Sequence, residues 1–146
     1  MNAFDTALGW WVVSVVVLFF KMHAISMVQL RHRMRARTFR TPEDVAVFGG
    51  KKTTLAPDTD LGERAGNAWR NDLENIPIYC AVSLAFVLLG GSATAGAIYF
   101  GVYTLARVSH TVSYLAARQP HRFLSHLVAL GACAVMAIHC LVKLFG

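Results

Sequence analysis

ERAGNAWRNDLENIPIYCAVSLAFVLL, from Glu63 to Leu89, changes character near its middle. It is polar as far as Asn75 and apolar from Ile76 onward, and Gly90-Gly91-Ser92 then breaks it as a turn between two antiparallel helices does. The polar half is ordered. Glu63, Asn67, Arg70, Asn71 and Glu74 recur at i, i+4, i+7, i+8 and i+11, which at ~100° per residue gathers them on about a quarter of a helix's circumference. About 20 helical residues cross a bilayer core of ~30 Å. The stretch therefore predicts a membrane helix whose first half carries a one-sided polar stripe.

Three further stretches reach that length. The first, about 7–34, opens with the apolar run GWWVVSVVVLFF, Gly9 to Phe20. No basic residue precedes it, so it reads as a span and not as a cleaved leader. The others run over about 93–117, ended by Gln119-Pro120, and about 122–145. With the stretch at 62–89 they predict an all-α integral membrane protein, a four-transmembrane-helix bundle forming one domain over 1–146. The connection 35–61, with Pro42, Gly49-Gly50 and Pro57, is expected to be a loop.

Composition agrees with that class. Of 146 residues 55% are hydrophobic and 15% charged, against roughly a quarter charged in a soluble domain, and so much apolar surface excludes disorder. The formal charge of +6 is uneven: nine of the fourteen Lys and Arg lie between Arg31 and Arg70. This pattern fits a membrane protein with one basic side, and no nucleic-acid partner is expected. The positive-inside rule places the first and third connections in the cytoplasm and both termini opposite. Cys80, Cys133 and Cys140 sit in apolar runs, which indicates buried thiols and neither a disulfide framework nor a metal site.

Tyr103, Arg107, His110, Thr111, Tyr114 and Arg118 form a second stripe on the third helix, again at steps of three and four. A charge at the bilayer centre costs ~2.5–3.5 kcal/mol on insertion scales, so both stripes must face protein or a water-filled cavity. Polar groups in membrane helices can serve only to hold helices together. Two stripes that carry both signs of charge favour a pocket near the cytoplasmic end. Lys21 lies mid-span and Asp72 faces away from its own helix's stripe, so these two are expected to pair. The cluster Arg31, Arg33, Arg35, Arg37 and Arg40 reads as a solvated or headgroup-bound helix end, with one member able to reach a ligand.

ERAGNAWRNDLENIPIY (63–79) and ARVSHTVSYL (106–115) resemble the helix-two and helix-three signatures of the MAPEG family, the membrane-associated proteins of eicosanoid and glutathione metabolism. FRTPEDVAVFGGK (39–51) and QPHRFLSH (119–126) resemble its connecting segments in order and spacing, so the likeness covers nearly the whole chain. Within the family it is nearest to the branch of the microsomal glutathione transferase and the microsomal prostaglandin E synthase. The resemblance implies a homotrimer of four-helix subunits, with glutathione as cosubstrate bound between neighbouring subunits near the cytoplasmic side. Its ligand contacts would be Arg33, Arg70, Asn71, Glu74, His110, Tyr114 and Arg122, with Asp44, Arg107 and Arg118 in support. Arg33 and Arg70 suit the two carboxylates, Glu74 the ammonium, and Arg122 the thiolate, because a nearby cation lowers a thiol pKa from about 8.5. Arg122 is thus the expected catalytic residue.

Departures from the pattern narrow the activity. In the prostaglandin synthase a serine follows the arginine matched by Arg122, and here that position is Phe123. Asn67 and Trp69 replace residues that are usually basic in the animal relatives. The expected function is a membrane-bound, detoxifying glutathione transferase or glutathione-dependent peroxidase, acting on a hydrophobic electrophile or lipid hydroperoxide from the bilayer. A glutathione-dependent lipid isomerase and a non-catalytic scaffold remain alternatives. Short termini fit a bacterial inner membrane.

Overall fold

The computed structural model describes residues 3–48, 54–55 and 59–146. Helix α1 spans Ala7–Ala36, α2 Pro42–Phe48, α3 Asp60–Leu88, α4 Ala93–Leu115 and α5 Gln119–Phe145, with a 3-10 turn, Ala3–Asp5, ahead of α1. Two short strands, β1 (Thr38–Phe39) and β2 (Thr54–Leu55), pair in parallel with Thr38 opposite Thr54. The expectation of a plain loop over 35–61 is therefore corrected. Pro42 at the first helical position, Glu43 and Asp44 in the first turn, and Thr41 Oγ1 accepting from the Asp44 N–H at 3.3 Å together start α2. Gly49-Gly50, Lys51, Lys52 and Pro57 lie outside the described residues.

Local chemistry sets the helix ends. Thr59 Oγ1 caps α3 by accepting from the Gly62 N–H at 3.2 Å, and Ser92 Oγ caps α4 by accepting from the Ala95 N–H at 3.2 Å. Between them Gly90 takes φ +69° and the Gly91 N–H donates to the Phe86 carbonyl at 3.0 Å, which closes a Schellman turn. A Cβ on Gly91 would lie 2.2 Å from the Phe86 ring, so the second glycine is a matter of space. Lys143 Nζ, from the far end of α5, donates to the Leu89 and Gly90 carbonyls at 3.2 and 2.8 Å and ties down the same turn. Helix α4 stops at Leu115, two residues before the expected 117. Ala117 is left-handed (φ 57°), and α5 already begins at Gln119 with Pro120 in its first turn.

Helix α1 packs on α3 and α4, and α5 packs along α4 and against α3. Small residues bring the backbones close: a Cβ on Gly96 would sit 3.0 Å from Ala7 Cβ, and one on Gly66 would sit 2.8 Å from Gln29 Nε2. Leu18, Tyr79, Phe86, Phe100, Tyr103 and Met136 fill the core, with the Tyr79 and Tyr103 rings stacked at 3.7 Å. Neutral hydrogen bonds cross this core. Ser14 Oγ lies 2.6 Å from Tyr79 Oη and 2.7 Å from Thr104 Oγ1, and Trp11 Nε1 donates to Ser83 Oγ at 2.9 Å. Large apolar side chains face outward along the bundle, among them Phe19, Phe20, Ile138 and Leu141. Helices α1 and α5 are long and apolar enough to cross a membrane. Helices α3 and α4 carry the polar stripes.

A charged cleft at one end of the bundle

The end of the bundle where α4 turns into α5 holds a cleft of about 370 Å³. Helix α3 lines it with Asn67, Arg70, Asn71 and Glu74, α4 with His110 and Tyr114, and α5 with Gln119, Arg122, Phe123 and His126. An adjoining cleft of about 390 Å³ shares Asn67 and Arg70 and runs past Glu63 to Gln29 and Arg40. The two stripes read from the sequence thus converge at one end, and the first turns of α5 form the third wall.

Contacts from both its side chain and its backbone hold Arg122. Its guanidinium carbon lies 4.4 Å from the centroid of the Tyr114 ring, a cation–π arrangement that keeps the charge over the cleft. Its backbone carbonyl accepts from His110 Nδ1 at 3.0 Å and from Ser125 Oγ at 3.1 Å. A carbonyl can only accept, so His110 carries its proton on Nδ1 and presents a lone pair at Nε2. That Nε2 is buried and has no partner. Among the described residues neither Arg122 nor Glu74 has an ion-pair partner, so the cleft offers charge of both signs that is not internally neutralised.

Beneath the cleft floor lies a buried charge cluster. Asp72 bonds Lys21 through Oδ2 and Arg107 through Oδ1, and Asp72 and Arg107 are both fully buried. The expected Lys21–Asp72 pair is present, with Arg107 as a third member. Arg107 Nη2 also donates to Asn71 Oδ1 at 2.8 Å. Tyr103, from the same α4 stripe, stacks on Tyr79 and donates to the Asn75 carbonyl at 3.1 Å. Pro77, which cannot donate to the Leu73 carbonyl, follows two residues later.

Of the residues matched to glutathione contacts, Arg70, Asn71, Glu74, His110, Tyr114 and Arg122 line this one cleft. Arg33 does not. It lies on the last turn of α1, and neither cleft includes it. Of the three supporting residues, Arg107 lies under the floor, Arg118 is exposed ahead of α5, and Asp44 sits on α2, away from both clefts. Gln119 and His126 were not picked out from the sequence. Their signal was present: 119, 122, 123 and 126 stand at i, i+3, i+4 and i+7, one face of a helix.

Fold and cleft together define an all-helical membrane protein with a charged pocket at one end of its bundle. The chain belongs to the MAPEG family, whose model matches residues 7–142. It is 35% identical over 133 residues to the prostaglandin E synthase of Equus caballus, covering 90% of this chain and 86% of that one. It is 34% identical over 121 residues to the microsomal glutathione S-transferase 1 of Bos taurus (80% and 77% covered), and 34% over 125 to that of Homo sapiens (83% and 80%).

Proposed function

We propose that this protein binds glutathione in the α3–α4–α5 cleft and uses it as a transferase or peroxidase on hydrophobic substrates. The observation that carries this reading is the convergence of Arg70, Asn71, Glu74, His110, Tyr114 and Arg122 on one cleft. Glutathione has two carboxylates, an ammonium and a thiol. Arg70 suits a carboxylate, Glu74 the ammonium, and Asn71, His110 and Tyr114 supply directional hydrogen bonds. Arg122, held over Tyr114, stabilises the thiolate once the thiol has lost its proton to solvent. The thiolate attacks an electrophilic carbon and expels its leaving group. With a hydroperoxide it takes the terminal oxygen, and a second glutathione completes reduction to alcohol, disulfide and water. Catalysis then rests on thiolate stabilisation and proximity.

In this reading the single domain 1–146 crosses the bilayer four times, with the basic first and third connections in the cytoplasm. Three subunits assemble, and Arg33, outside the cleft of its own chain, reaches glutathione at the subunit boundary. The substrate enters from the lipid. The named relatives also support a glutathione-dependent isomerase of a lipid peroxide. Phe123, which lines the cleft where the resemblance places a serine, weighs against it.

Stopped-flow ultraviolet absorbance on mixing detergent-solubilised protein with glutathione tests the reading. A thiolate band is expected on binding, and Arg122→Ala should remove it and cut turnover by about 10²-fold, the scale of losing one charge-stabilising donor. Binding without a band would favour a scaffold or a weakly activating isomerase. No binding at all would sink the proposal.

A further inference from the structure

We infer that Arg107 is a positioning residue for the glutathione cleft, fixing from below which face of the Asn71 amide meets the ligand. The inference rests on the glutathione reading of that cleft. Asn71 lines the cleft, and its Oδ1 takes the Arg107 Nη2 donor at 2.8 Å. Arginine has donors only, so the opposite amide orientation would set N–H against N–H. Asn71 Nδ2 therefore turns toward the ligand, and among the described residues it has no hydrogen-bond partner. The cleft is given a donor at this point, suited to a carboxylate or carbonyl oxygen.

The cluster's charge count shows that Arg107 does more than neutralise Asp72. Lys21 alone would balance the Asp72 carboxylate, so Arg107 adds a surplus buried cation. Its Nε and Nη1 are buried without partners, a cost that an apolar residue would avoid. What Arg107 adds to the Lys21–Asp72 pair is the bond to Asn71. Asp72 holds Arg107 in place, which links the interior of the bundle to the ligand through adjacent residues of α3.

A double-mutant cycle on glutathione affinity tests this, using detergent-solubilised full-length protein. Arg107→Gln is expected to weaken glutathione binding about five-fold in the native background and less than two-fold in Asn71→Ala, because the effect passes through Asn71. Turnover at saturating glutathione should stay within about two-fold, and Arg107→Lys, which can still donate to Asn71, should recover part of the affinity. If Arg107→Gln does not fold, Arg107→Lys carries the same cycle with a smaller coupling. Equal fold-losses in both backgrounds would overturn the positioning role and leave the glutathione reading standing. A native protein that binds no glutathione would remove both.

Discussion

Two charged regions share helix α3. Lys21, Asp72 and Arg107 form a closed cluster inside the bundle, whereas Arg70, Glu74 and Arg122 border an open cleft and are not paired with one another. Each holds two cations and one carboxylate, and Asn71 and Asp72 are adjacent in the chain. Their surroundings differ. Asp72 is fully buried with two cations on its two oxygens, so its charge is spent on holding α1, α3 and α4 together. Glu74, two residues on, is exposed to the cleft and keeps its charge available. A helix places neighbours ~100° apart, so one short sequence can serve fold on one face and ligand on the next.

That contrast can be broken by experiment, and the largest effect should come from the closed cluster. Asp72→Asn leaves two buried cations without their counter-charge and is expected to cost about 3–5 kcal/mol, read as a large fall in thermal stability in detergent. An unchanged melting temperature for both Asp72→Asn and Lys21→Met would remove the distinction between the regions. In the open cleft the pattern should invert. Arg70→Ala or Glu74→Gln should weaken glutathione binding by about ten-fold or more, the value of a charge-assisted hydrogen bond, while stability stays within about 0.5 kcal/mol. Calorimetric titration and a melting curve on one sample separate the two readouts. The smallest effect belongs to the neutral network deeper in the core. Ser14→Ala leaves the Tyr79 and Thr104 hydroxyls without their shared partner and should cost about 0.6 kcal/mol, the average for an interhelical hydrogen bond in a membrane protein. Glutathione affinity should not change in that variant.

Much of the cleft was legible because helical periodicity is a strict geometric rule. Glu63, Asn67, Arg70, Asn71 and Glu74 had to share a face once the segment was a helix, and all five border one or other of the two clefts. The α4 stripe holds as one face from Tyr103 to Tyr114, Arg118 falls beyond the helix end, and that one face serves two functions. A stripe ~100° wide can touch two neighbours at once. Tyr103 and Arg107 turn to the core, and His110 and Tyr114 to the cleft. No spacing rule could have made that division, because it depends on where α1 and α3 lie against α4. The short helix α2 was missed for a related reason: seven residues with one proline look like a loop until their capping is seen.

The sequence by itself determined the helices, their polar faces, the family motifs and the pairing of Lys21 with Asp72. These follow from residue type and period, which are local, and from the cost of leaving a charge unpaired in an apolar setting. Only the tertiary structure decided that Arg107 joins that pair and bonds Asn71, that His110 holds the Arg122 backbone, and that Tyr114 lies under the Arg122 guanidinium. Each of these joins residues on different helices. Their distances are set by how close Gly66 and Gly96 let the helices come and by where the α4–α5 turn at Ala117 places the start of α5.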